Sequence, residues 1–238
     1  MGAIFRREVL GYFTSPIGYI FLAAFYAFSA VFFTNSSLQN GSTEMTGMFG
    51  QLMIILVVLI PILTMRTMSE DKKTKTDQCL LTAPVSLGGI VAGKFLAALL
   101  VYSCAVAVTI VYAVIIAGFA ETGAGVDWLV IIGNVVGLEL FGASFIAVGI
   151  FCSSLTENQV VAAVVSFISI LALSMLSIIG GLISWEPAQD LLTSLSFYER
   201  YSGFTYGLFD LSNVLFFISA VVVFLFFTVR VLEKRRWA

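Results

Sequence analysis

The 238 residues are 60% hydrophobic and 11% charged, with a net charge of −2, a composition that excludes an ordinary soluble protein and leaves no room for a large soluble domain. The absence of histidine excludes imidazole acid-base catalysis, a Ser-His-Asp triad and an HExxH zinc site. Acids and bases nearly cancel, so the placement of charge says more than its total.

At the N-terminus, residues 4–14 put Phe5, Val9, Tyr12 and Phe13 on one side of a helix and Arg7, Gly11 and Thr14 on the other. This predicts an amphipathic helix on the membrane surface, its arginines reaching toward lipid phosphates. Arg6 and Arg7 ahead of an apolar run ending Ala27-Phe28-Ser29-Ala30 imitate a signal peptide, but the run is too long and too aromatic for one. Pro16 allows a sharp turn into the first span. Crossing about 30 Å of hydrocarbon takes about 20 apolar residues. Six runs qualify, at about 17–34, 48–66, 94–118, 128–152, 159–183 and 213–232, with Pro61 expected to kink the second rather than end it. The whole chain, 1–238, therefore reads as a single all-α transmembrane domain.

With the N-terminus in the cytosol, the inner side holds Arg6, Arg7, Arg66, Lys72, Lys73, Lys75, Lys94, Arg230, Lys234, Arg235 and Arg236, and the outer side holds only Arg200. Such an asymmetry fixes both termini inside. The cysteines, Cys79, Cys104 and Cys152, show no CxxC pairing and fall in or near spans or in the cytosol, which argues against a disulfide framework.

Outside the spans, residues 67–93 begin charged at Glu70-Asp71-Lys72-Lys73, turn apolar at Cys79-Leu80-Leu81 and close at Ala83-Pro84, the pattern of a short amphipathic helix at the membrane surface. Residues 153–158 make a tight cytosolic turn. Residues 184–212 are too polar to span yet carry Trp185, Phe197, Tyr198, Tyr201, Phe204, Tyr206 and Phe209, which suits an outer helix pair dipping into the headgroup layer.

Gly88, Gly93 and Lys94 match GxxxxGK, but Phe95 follows where a P-loop needs a magnesium-binding hydroxyl. The bland reading is a flexible helix start with an interfacial lysine, and no ATP hydrolysis by this chain. Asn35-Ser36-Ser37 and Asn40-Gly41-Ser42 fit the N-glycosylation pattern, as Ser- and Asn-rich loops do by chance. Gly133 and Gly137 form a GxxxG that serves packing within the chain or a dimer contact. Glu139 sits near the middle of the fourth span, where a carboxylate costs about 2.5–3.5 kcal/mol on insertion scales. It shares a stripe with Val135, Gly142, Ala143 and Ile146. Another helix or a cavity should cover it, with protonation or a hydroxyl partner on a neighbouring helix, and a gate or pathway role stands beside simple packing.

Three stretches resemble the permease subunits of ABC-2 type transporters. Glu70-Asp71-Lys72-Lys73-Thr74-Lys75-Thr76-Asp77-Gln78-Cys79-Leu80-Leu81-Thr82-Ala83-Pro84-Val85-Ser86 with Gly93-Lys94 is similar to the signature E-K-x-x-G-T-x-E-x-L-L-x-x-P-x-S…G-K. Ser154-Leu155-Thr156-Glu157-Asn158-Gln159 resembles the second cytosolic turn. Ser196 to Arg200, Gly207, Asp210-Leu211 and Leu232 to Trp237 look like the gliding-motility (GldF-like) branch. The chain departs from the pattern at Lys75, usually glycine, and at Gln78, usually glutamate, which bears on the cytosolic contact and not on the family.

The resemblance implies a coupling helix over 67–84, in which Asp71, Lys72, Lys73, Thr76, Asp77, Gln78, Leu80 and Leu81, with Thr156, Glu157 and Asn158, face a separate ATPase. It implies an outer re-entrant gate at Phe197, Tyr198, Arg200 and Tyr201. ATP and magnesium are expected on the partner ATPase, with no cofactor or metal in this chain. Further partners are membrane lipid and a second permease half, either another copy or a related subunit, which in that branch often bears an extracytoplasmic domain; no nucleic acid is expected. The expected activity is transport, export above import, across a bacterial cytoplasmic (inner) membrane. The alternative is a non-transport scaffold or mechanotransmitter driven by an ATPase partner.

Overall fold

The computed structural model describes residues 2–39, 43–77, 85–119, 126–182, 185–205, 207 and 210–237, and these are helical almost throughout. In chain order the helices are α1 (Gly2–Thr14), α2 (Pro16–Phe33, continued by a π-helical turn Thr34–Leu38), α3 (Thr46–Thr64), α4 (Arg66–Lys73) and α5 (Leu87–Phe119). They continue with α6 (Trp128–Leu155), α7 (Gln159–Ser174), α8 (Leu176–Gly181), α9 (Glu186–Ser194), α10 (Phe197–Thr205) and α11 (Leu211–Trp237). Five stretches are long and apolar enough to cross a membrane: Pro16–Leu38, Thr46–Lys73, Leu87–Gly118, Trp128–Leu155 and Leu211–Arg236. A helix satisfies its own backbone, which is why apolar segments of this length take that form in hydrocarbon.

The expected span 159–183 differs. The helix breaks at Met175, leaving the 16 residues of α7 followed by the 6 of α8; at 1.5 Å per residue α7 alone covers about 24 Å, short of the core thickness. The Ser174 hydroxyl donates back to Ile170 O at 2.8 Å just before the break, a bond that bends helices. The second span, by contrast, runs through Pro61, with Met65 N donating to Pro61 O at 2.9 Å, and past the expected end at 66 into α4.

The helix starts follow local capping chemistry. Pro16 opens α2 at its first turn, where its missing N–H is no loss. The turn from α1 is so tight that a β-carbon on Gly18 would lie 2.5 Å from Tyr12 O. Ser86 Oγ accepts from Gly89 N at 3.2 Å, so α5 begins at Leu87 and not at 94. Asp127 caps α6 by accepting from Leu129 N at 3.1 Å and Val130 N at 3.3 Å.

Helix α6 is the central rod. It packs against α3, α4, α5, α7, α10 and α11, and three glycines let its neighbours in. A β-carbon at Gly137 would lie 2.8 Å from Phe204 Cβ of α10, at Gly142 2.2 Å from the Tyr102 ring of α5, and at Gly149 2.1 Å from Thr64 Oγ1 of α3. The GxxxG glycine Gly137 thus serves packing within the chain. Around the rod, Phe141, Phe145, Phe197 and Phe217 make tilted or edge-on ring contacts with centroids 4.2–6.4 Å apart. Large apolar side chains face outward along the other helices, among them Val114, Ile168, Val222 and Phe226, as a lipid-facing or subunit-facing surface requires.

Candidate functional site: the α4 junction and the intramembrane carboxylate

The sequence expectation concentrates on α4 and the turn after α6, at the end of the bundle rich in basic residues, and the structure brings these together. The backbone turns at Met65, between α3 and α4, and Ser153 of α6 holds that turn. Its hydroxyl donates to Met65 O at 2.9 Å and accepts from Met68 N and Ser69 N, both at 3.1 Å. Those amides belong to the first turn of α4, which has no side-chain cap of its own and leaves such donors without an intrahelical partner. One residue on, the Lys72 ammonium donates to Ser154 O, and so caps the carbonyl end of α6 with a positive charge.

Lys94, expected at the interface, is instead buried, because α5 starts seven residues earlier than expected and carries it inside. Its ammonium lies 2.6 Å from Asp71 Oδ2 and 3.1 Å from Glu8 Oε1, and its side chain is 2% exposed. It also donates to Thr67 O. Arg7, expected to reach lipid phosphate, pairs with Glu8 and with Asp71 at 3.3 Å. Tyr12, fully buried, donates to Leu63 O at 3.1 Å and shares a hydrogen bond with Thr67 Oγ1 at 3.2 Å; burial pushes its phenol up to about 12. Helices α1, α4 and α5 are thereby joined by charge at one point. Asp71 Oδ1 also accepts from Thr76 Oγ1 at 2.9 Å.

A second charge cluster sits beside the first. Arg235, near the end of α11, donates to Asp77 Oδ2 at 2.9 Å and to Glu157 Oε1 at 2.8 Å, so one guanidinium clamps the segment after α4 to the turn after α6. The turn itself uses its neighbours: Thr156 Oγ1 accepts from Asn158 N at 3.2 Å, and Asn158 Oδ1 caps α7 by accepting from Val160 N at 2.9 Å. Of the expected coupling residues, Asp71 and Lys72 face inward, Lys73 and Thr76 are exposed, and Asp77 and Glu157 meet at Arg235. Gln78, Leu80 and Leu81 lie outside the described residues. Lys75, where the family pattern has glycine, has φ +59°, the left-handed conformation that glycine adopts without penalty after a helix end.

Glu139 is half-buried on α6 and accepts from Ser103 Oγ of α5 at 3.2 Å, a hydroxyl partner of the expected kind. At the opposite end of the bundle, α9 and α10 form a helix pair. Phe197 and Tyr201 are buried against α6, and Tyr201 donates to Asn134 Oδ1 at 3.3 Å. Arg200 donates to Ser194 O at 3.0 Å and Asn213 Oδ1 at 3.2 Å and stacks over Phe216, while Tyr198 is exposed. Ser153, Lys94, Glu8 and Arg235 carry the junction and were not singled out from the sequence as site residues. The charge count included the two basic ones, Lys94 and Arg235, but only the fold says which acid each one meets.

Two predictions follow from the junction. Asp71→Asn leaves the Lys94 ammonium with Glu8 alone and should cost about 3 kcal/mol, near the low end for breaking a buried pair because one carboxylate stays. Thermal unfolding of the purified protein reads the loss; a melting temperature unchanged in the variant refutes the pair. Lys75→Gly should raise the melting temperature, by relief of about 1 kcal/mol of left-handed strain; a lowered value would refute the strain.

A family model described as ABC-2 family transporter protein matches residues 30–198, more than two thirds of the 238. No curated protein matches the chain closely enough to count as a relative. The matched stretch runs from α2 into α10 and takes in the α4 junction, Glu139 and the turn after α6. The chain belongs to the ABC-2 transporter family and is a multi-pass membrane permease subunit of an ABC transporter.

Proposed function

We propose that the chain is one permease half of an exporter, of the gliding-motility branch, in a bacterial cytoplasmic membrane. A separate ATPase carrying ATP and magnesium docks on Lys73, Thr76 and the residues that follow to Leu81, together with the turn at Glu157, and a second permease half completes the pathway. The observation that carries the reading is the junction. Work applied to α4 has a short polar path into α6 through Ser153 and Ser154, and α6, 28 residues and about 42 Å long, leads to the α9–α10 pair. In this reading Asp71 and Lys72 transmit the load within the chain, Arg235 keeps the two docking segments in register, and Phe197, Tyr198, Arg200 and Tyr201 belong to a re-entrant outer gate.

Six crossings and both termini in the cytosol complete the topology, with α7 and α8 together as the fifth crossing. The charge asymmetry supports it. In a cysteine-free background, Gln39→Cys and Asp190→Cys should react with an impermeant thiol reagent added outside, and Lys73→Cys and Lys234→Cys only after permeabilisation. Labelling of Lys234→Cys in intact cells would overturn the orientation.

The coupling reading is tested by charge exchange. Asp77→Lys with Glu157→Lys places two cations on Arg235, and most of the permease-dependent ATPase activity of the copurified complex should be lost while the chain remains inserted. Adding Arg235→Glu recreates the clamp with reversed signs and should restore it. Full activity in the double variant would sink the docking site. Loss without rescue would mean that the two acids act on the partner directly, not through the clamp.

A further inference from the structure

Glu139 is the sole acidic residue within the described apolar helices apart from those at their ends. It is the twelfth residue of the 28 in α6, so it lies at mid-span depth by either end of the helix. Among the described residues its only side-chain hydrogen-bond partner is the Ser103 hydroxyl, although an ionised carboxylate has about four acceptor sites. The nearby Tyr102 hydroxyl is already committed, donating to Leu138 O at 2.6 Å. Among the described residues no lysine or arginine lies within salt-bridge distance of Glu139, and the only cation within α5 or α6 is Lys94, nine residues before Ser103 and nearer the junction end of the bundle. A second copy therefore has no cation to offer at this depth. The carboxylate is not sealed in: it is itself only half-buried, and on α5 the neighbours of its partner Ser103, Leu100 one turn before and Cys104 next in the chain, are exposed, giving the single anionic point an apolar rim.

We propose that the seam between α5 and α6 at Glu139 is a binding site for a lipophilic amine, its ammonium paired with the Glu139 carboxylate and oriented by Ser103, its apolar body against the exposed rim. This inference rests on the permease reading and names a substrate class for it. A charge held in a water-poor setting gains most from a partner of opposite sign that arrives from outside the chain, and an amphipathic ammonium reaches this depth by partitioning from the bilayer.

The test uses the full chain in phosphatidylcholine nanodiscs, with protein-free discs subtracted. The probes are a fluorescent long-chain primary amine and its uncharged N-acetyl derivative. The amine should bind the wild type at least about tenfold more tightly than it binds Glu139→Gln, the loss expected for a hydrogen-bonded charge partner. Glu139→Asp should keep the preference, and the N-acetyl derivative should bind wild type and Glu139→Gln alike. Equal amine binding to wild type and Glu139→Gln, or an N-acetyl derivative bound by the wild type as tightly as the amine, overturns the proposal. So does a changed oligomeric state in Glu139→Gln with no amine preference in the wild type, which would make a second subunit the occupant. No ATPase enters this assay. Failure of amine selectivity therefore sinks the site alone, whereas failure of the chain to copurify with an ATPase would count against the exporter-half reading and leave the site standing.

Discussion

The Ser153 hydroxyl is the point on which the basic end of the molecule depends. A helix that bends at Met65 interrupts its own ladder, and buried amides without acceptors cost about 1–3 kcal/mol each. Ser153 satisfies Met68 N and Ser69 N from outside the helix and returns its own proton to Met65 O. Because these bonds come from α6, the bend is a joint between two elements and not a free hinge. The Lys72 contact with Ser154 O adds a second bond one turn further along α4, and two bonds at different points fix direction as well as position.

The rod to which α4 is joined owes its own placement to an absence of side chains. Gly137, Gly142 and Gly149 are where α10, α5 and α3 approach α6, and in a bilayer close approach is what drives helix association, since lipid tails are as apolar as the helices. The three contacts lie at different heights and involve three different neighbours. A tilt of α6 would therefore be felt by each of them, at the α9–α10 pair through Phe204 and at the junction end through Thr64.

Much of this fold was legible from residue types. The long apolar runs of α2, α3, α5, α6 and α11 read directly because burial in lipid demands continuous hydrophobicity, and Pro16 and the short polar run 153–158 marked the turns between elements. The break at Met175 was not legible, since residues 159–183 are as apolar as an unbroken span and the Ser174 back-bond depends on a rotamer. Lys94 was misplaced for a related reason. Hydropathy puts the edge of a span at its first charge, but Ser86 started the helix earlier and buried that charge against acids from α1 and α4. Glu139 could be found from sequence because any carboxylate at that depth stands out; its neighbour Ser103 is one of many hydroxyls in apolar helices and does not.

The two charge clusters at the junction differ in depth, and the difference orders their stiffness. Lys94 and Asp71 have side chains 2% and 16% exposed. Breaking that pair leaves a charge in a medium where desolvation costs several kcal/mol. Arg235 is 36% exposed and Glu157 63%, an arrangement that water and salt screen to about 0.2–1 kcal/mol. A force on the exposed turn thus opens the Arg235 clamp at small cost before it disturbs the Lys94 cluster. Segments 74–77 and 156–158 can therefore separate while α1, α4 and α5 still move as one body, so that the surface of the turn changes shape without unfolding the joint beneath it.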